Sequence, residues 1–277
     1  MILEVAMGKN LSIGALALFC IAVLVVGNIH WNQKTTVTAT TQHSPEEPDQ
    51  TTQVAGVEKE QKQSVSNEDV EALLSNWPDK AKQQFMDKME SGQPYTIVMA
   101  GSDALQAKKG GWPALLKEQL EISFGKDRIN IVAIETESHS LDYVRNKEFQ
   151  KIIDANPDLV LYEPLTLNDN GVVRIEDSHD NLDYVVERVG EINPEVSFII
   201  QPPHPLFGAN YYPEQVKALK KYAEEKNYPY LDHWKAWPDQ DDEALKEYLS
   251  EDSSTPSKKG HEVWAEFLID YFIDEGE

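Results

Sequence analysis

Three short segments hold residue types that could do chemistry together. The first is Gly101-Ser102-Asp103, which follows the β-branched, apolar run Tyr95-Thr96-Ile97-Val98-Met99-Ala100. A hydroxyl or carboxylate on a sharp turn after a buried strand is a candidate nucleophile or general base, provided a proton acceptor and an oxyanion site lie beside it. Asp103 could equally serve as a metal ligand or as the N-cap of the next turn, and Ser102 could cap as well. The second segment is Asn168-Asp169-Asn170-Gly171. Its Asn168 amide could donate to an oxyanion, although the same four residues are strong turn formers. The third is the histidine set. His261 falls at the first turn of the last helix, His233 sits in Leu231-Asp232-His233-Trp234, His204 in Pro202-Pro203-His204-Pro205, and His139 follows the second strand. Each is a candidate base or cleft residue, and each could instead be a packed or solvated side chain.

These segments need a scaffold that gathers them. From Pro94 the chain alternates short apolar runs with helical periodicity. Strands are expected at 97–100, 129–134, 159–162, 196–200 and 228–231. Helices are expected at 112–124, 141–155, 182–192, 213–226 and 258–273. The last carries Trp264, Phe267, Leu268, Tyr271 and Phe272 at core-facing spacing. Strands separated by helices of this length pair in parallel through right-handed crossovers. The fold class is therefore α/β: a three-layer α/β/α sandwich with a mainly parallel five-stranded sheet, flavodoxin-like in outline. Ligands in such sheets bind beyond the carboxyl ends of the strands, where all three segments fall. Tyr211, Tyr212 and Trp237 lie in loop-like contexts and are expected ligand contacts, whereas Trp112 and Trp264 read as core.

The order of blocks resembles the SGNH (GDSL) hydrolase family over about residues 94–273. Block one of that family is a strand followed by Gly-Asp-Ser; here the strand is followed by Gly101-Ser102-Asp103. Block three is Pro-Asp-x-Val ending in Gly-x-Asn-Asp; here Pro157-Asp158-Leu159-Val160 leads to Asn168-Asp169. Block five is Asp-x-x-His-Pro ending in Gly-His; here Asp252-Ser253-Ser254-Thr255-Pro256 leads to Gly260-His261. The resemblance implies an ester or acyl hydrolase. Ser102 would attack, Asn168 would bind the oxyanion, and Asp252 would orient a base, His261 or His233. It also marks departures. Ser and Asp are transposed at block one, so Asp103 holds the nucleophile's position. Glu135 or a neighbour stands where block two has its oxyanion Gly, and Thr255 stands where the base His belongs. Catalytic candidates are thus Ser102, Asp103, Asn168, Asp252 and His261, with His233, His204, Glu135 and Thr255 bordering the substrate. The alternative is a degenerate domain that binds a cell-wall glycan or a protein partner through the same cleft.

The chain has 277 residues and a net charge of −23. So acidic a surface disfavours nucleic acid and anionic headgroups. The single cysteine, Cys20, forms no internal disulfide, and neither a metal-type Cys pattern nor a phosphate-binding Gly-rich loop exists, so no metal or cofactor is expected. Residues 11–27 carry no charge and are about long enough to span a bilayer. Three readings stand: an uncleaved signal-anchor, a cleaved secretory signal, and a lipoprotein at Cys20, for which Ala17-Leu18-Phe19 is a poor match. Met7 is an alternative start to Met1. Residues 34–67 are rich in Thr, Gln, Ser, Glu and Pro and read as a disordered stalk. The expected organisation is a membrane anchor (1–33), the stalk (34–67), a helical lead-in (68–92) and the α/β domain (93–277). The chain would be single-pass, with that domain extracytoplasmic and facing an envelope glycan or acyl-ester substrate.

Overall fold

The computed structural model describes residues 67–276, with side chains from Asp69 onward. The expected anchor and nearly all of the expected stalk lie outside the described residues. Among the described residues no helix is long and apolar enough to cross a membrane.

Two helices lead in, α1 (Asn67–Leu73) and α2 (Asp79–Ser91), and the second ends at Gly92 in the left-handed region. Strand β1 (Tyr95–Ser102) is buried along its whole length. It is followed by a 3₁₀ turn, Asp103–Leu105, and by α3 (Trp112–Phe124), which has Pro113 in its first turn. Next come β2 (Ile129–Thr136), α4 (Ser140–Arg145), α5 (Gln150–Asp154), β3 (Leu159–Tyr162), α6 (Thr166–Asp169), α7 (Ile175–Ile192) and β4 (Ser197–Ile200). The chain closes with α8 (Tyr212–Glu225), a turn at His233–Ala236, and α9 (Lys258–Phe272). One helix expected at 141–155 is two, α4 and α5, because Lys147 takes a positive φ of 56° between them.

The sheet is parallel throughout, in the order β2-β1-β3-β4. It has four strands, not the expected five. Residues 228–231 make a single parallel bridge, Ile200 to Tyr230, closed by Ile200 N–H to Pro229 O and Leu231 N–H to Ile200 O. The ladder stops there because β4 runs directly into Pro202-Pro203, which have no N–H to donate.

Side chains alternate across the sheet as strand geometry requires. Ile97, Met99, Leu159, Leu161 and Ile199 face a core built with Trp112, Leu116 and Leu120 of α3 and Trp264, Leu268 and Phe272 of α9. Val98, Ala100, Val160, Tyr162 and Ile200 face a second core with Ile152, Leu182, Val185, Val189 and Leu219. The lead-in helices bury Val70, Trp77 and Phe85 in the first of these cores, where Trp77 Nε1 donates to the Phe272 carbonyl at 2.9 Å. Buried on both faces, β1 and β3 are held rigidly, and their carboxyl ends form a fixed frame.

Candidate active site

At the end of β1 the change from strand to 3₁₀ turn separates the two candidate residues. Ser102 points inward and is 1% exposed, whereas Asp103 is exposed. The Ser102 hydroxyl donates to Glu163 Oε1 at 2.7 Å and accepts from the Ala104 N–H at 3.3 Å, capping the Asp103–Leu105 turn. Glu163 directly follows β3 and is completely buried. Burial pushes its carboxyl up to about 8, against the lowering effect of the Ser102 bonds. Gly101 makes room for it: a Cβ there would lie 2.7 Å from Glu163 Cβ. Both hydrogen-bonding directions of the Ser102 hydroxyl are therefore occupied, and no imidazole is among its partners.

Three of the four candidate histidines are held by local partners. His261 Nδ1 accepts the Trp112 backbone N–H at 3.2 Å, tying α9 to the start of α3. Its Nε2 is buried without a partner, and burial pushes the ring down to about 4. His233 stacks on Trp264 at 4.1 Å, accepts from Trp237 Nε1 at 3.0 Å through Nδ1, and sets Nε2 against the Pro202 carbonyl at 2.8 Å. His204 is fully buried, and neither ring nitrogen has a hydrogen-bond partner among the described residues, although the Ser253 backbone lies close enough to favour its protonated form slightly. Burial pushes both His204 and His233 down to about 3, so both are neutral near pH 7. His139 caps α4 and faces Asp142.

Asn168 and Asp252 are also committed locally. The Asn168 amide donates to the Ser138 carbonyl at 3.0 Å, and the adjacent Asp169 accepts the Ser140 N–H at 2.7 Å. Asp252 accepts from the Ser250 and Ser254 hydroxyls at 2.7 and 2.8 Å and from the Ser254 N–H at 3.1 Å. Those bonds hold its carboxyl down at about 2. Asp252 orders its own loop and contacts neither His261 nor His233, so the expected Asp–His pair is not assembled. Two expected ligand contacts prove buried: Tyr212 opens α8 and donates to the His204 carbonyl at 2.9 Å, and Trp237 packs on Trp264. Tyr211, at 82% exposure, stands in solvent.

Above this packed layer a cleft of about 460 Å³ opens between the ends of β1 and β2 and the 250–255 loop. It gathers Asp103, Glu135, Asp252 and Thr255 from the expected set, together with Gln106, Lys109 and Glu137. Glu135 Oε2 accepts the Ala107 N–H at 2.9 Å, and Gln106 Nε2 donates to Thr255 Oγ1 at 3.0 Å. An amide nitrogen has two hydrogens, so Gln106 keeps one for a ligand. The Asp103 carboxyl is raised above the usual carboxylate range. Partial loss of water is the main cause; Glu137 and Glu135 add repulsion, while its own backbone hydrogen bond and Lys109 oppose the rise. A carboxylate with raised affinity for protons, in a cleft beside a lysine and an amide, can act as a general base with a cation and an N–H donor at hand. Among the described residues no cluster of His, Cys, Asp and Glu is arranged to hold a metal ion.

Glu163, Glu137, Gln106 and Lys109 were not singled out from the sequence. Glu163 carried one signal, an acid directly after a fully apolar strand, Leu159–Tyr162. Glu137 stood two residues from Glu135 on the same strand-end segment.

Comparison with known proteins bears on the family and the fold. The family model for the GDSL-like lipase/acylhydrolase family matches residues 97–263, more than half of the chain. No curated protein matches the sequence significantly. Among solved structures, a GDSL-like lipase from Parabacteroides merdae superposes with a TM-score of 0.56 at 15% identity, covering 64% of this chain and 95% of that one. The acetylxylan esterase Axe2 from Geobacillus stearothermophilus gives 0.54 at 19% identity, covering 67% and 96%. A lipolytic protein of the G-D-S-L family from Desulfitobacterium hafniense gives 0.52 at 22%, covering 64% and 98%. Likeness at these identities establishes the fold, a sheet between helical layers. With the family model spanning all three blocks, from β1 to the first turns of α9, the chain belongs to the GDSL-like lipase/acylhydrolase family.

Proposed function

We propose that this protein is an acyl-ester hydrolase whose working base is Asp103, acting through water. The observation that carries the reading is the cleft itself: it lies at the end of β1, where the family has its nucleophile, and Asp103 is the residue there that faces it. The carboxylate removes a proton from a water molecule as its oxygen attacks the acyl carbon. Lys109 and the free Gln106 hydrogen face the developing oxyanion. The tetrahedral intermediate then expels the alcohol oxygen, which recovers the proton from the Asp103 carboxyl. Ester and water become acid and alcohol, and no acyl-enzyme forms. The uncharged segment 11–27 anchors the domain in the cell membrane, so the substrate is an acylated glycan or lipid of the envelope.

The test is hydrolysis of 4-nitrophenyl acetate by the full-length chain in detergent. Asp103→Asn should lower kcat by roughly a hundredfold or more, the usual contribution of a positioned base. Ser102→Ala should keep turnover per folded molecule within about threefold, because its hydroxyl is engaged with Glu163 and Ala104. Full activity in Asp103→Asn overturns the assignment. A second reading, a domain that binds its ligand without turning it over, is favoured by the sealed Ser102 hydroxyl. It becomes the conclusion if the wild-type chain shows no hydrolysis above buffer.

A further inference from the structure

A second cavity, of about 460 Å³, shares no lining residue with the acidic cleft. It lies between the first turns of α8, the Tyr230–Asp232 segment and the residues after the His233–Ala236 turn. Its apolar lining includes Trp234, Tyr230, Pro205 and Pro213. Its polar lining is distinctive for a chain of net charge −23: Lys217, Lys220 and Lys235 against Asp232 and Asp239.

Not all of these charges are spent internally. Lys220 is held by Asp232 at 2.9 Å, and Lys217 by Glu214 at 2.6 Å. Lys235, which is exposed, forms no ion pair with any described residue. Tyr230 lines the cavity, but its hydroxyl is buried below the surface. Asp239 and Gln240 add acceptor capacity at the rim.

We propose that this cavity binds a sugar ring bearing a carboxylate, a hexuronic acid unit. The indole of Trp234 and the proline faces would take the C–H face of the pyranose, the contact that apolar ring surfaces make best. Lys235 would receive the carboxylate, with Lys220 close behind. Asp239 and Gln240 would meet the ring hydroxyls. The site is independent of the hydrolysis assigned to Asp103.

The full-length chain in detergent, titrated calorimetrically with glucuronic acid, glucose and acetate, tests this. Glucuronic acid should bind saturably, and at least tenfold more tightly than either glucose, which lacks the charge, or acetate, which lacks the ring. Lys235→Glu should weaken it at least tenfold. Aryl-ester hydrolysis should be unchanged in Lys235→Glu. Equal affinity for glucose, equal affinity for acetate, or wild-type affinity in Lys235→Glu each overturns the proposal.

Discussion

The hydroxyl of Ser102 donates to Glu163 Oε1 at 2.7 Å, joining the last residue of β1 to the first residue after β3. Strands β1 and β3 are paired in register up to Ala100 and Tyr162, so the bond lies just beyond the end of the ladder and ties the two strand ends through side chains. It makes Ser102 a structural brace and leaves the exposed Asp103 as the residue of this turn that faces the cleft.

Glu163 gives this brace a pH dependence. Its carboxyl moves from 4.5 up to about 8 on folding, so between those values the folded state holds a proton that the unfolded chain has released. Its contribution is complete below pH 4.5 and is lost as pH rises to about 8. His204 and His233 act in the opposite sense. Their pKa values fall from 6.5 to about 3, so stability is gained as pH rises from about 3 to 6.5. The expected profile climbs to a maximum near pH 6.5 and declines toward pH 8. In Glu163→Gln, which keeps an acceptor for Ser102, the decline should vanish. Urea midpoints between pH 5 and pH 9 measure it, and the two proteins should diverge by on the order of a few kcal/mol.

Gly260 is required by close approach rather than by backbone angle. A Cβ there would lie 2.1 Å from the Tyr248 carbonyl oxygen and 3.0 Å from the Trp237 ring. Gly260→Ala should push α9 away from the Glu243–Tyr248 turn and cost roughly 1–3 kcal/mol, the usual scale of overpacking. Thermal unfolding of the variant checks this.

His261→Ala should remove the acceptor of the buried Trp112 N–H and cost roughly 1–3 kcal/mol. Turnover of 4-nitrophenyl acetate per folded molecule should stay near the wild-type value, since Nδ1 is spent on the backbone and Nε2 meets no partner. A loss of a hundredfold or more without loss of stability would show that the ring takes part in the reaction.

The pH–rate profile carries the signature of Asp103. A carboxylate base works in its ionised form, so activity should fall on the acid side at a pH above that of an ordinary carboxylate. Glu137 raises the Asp103 carboxyl and Lys109 lowers it. Glu137→Gln should therefore move the acid limb to lower pH, and Lys109→Met should move it higher. A profile indifferent to both substitutions would separate the limb from this cleft.

Much of the fold was legible in the sequence because strand and helix periodicity are local properties. The apolar run at Leu159–Tyr162 and the helix at Trp112–Phe124 appear at the expected residues. The fifth strand failed for a reason visible only in pairing: Tyr230 has a neighbour, but Pro202 and Pro203 offer no donors to extend the ladder. The location of the cleft was equally legible, since the ends of β1 and β2 and the 250–255 loop bring Asp103, Glu135, Asp252 and Thr255 to one cleft. What the side chains do there was not. Ser102 binds an acid 61 positions away, and Asp252 and His261, only nine positions apart by their numbers, turn to different partners. Sequence alone determined the family frame and the end of the sheet that carries the site. Tertiary structure decided which residues face water and which are sealed, because inward or outward orientation and long-range hydrogen bonding are fixed only when the layers pack.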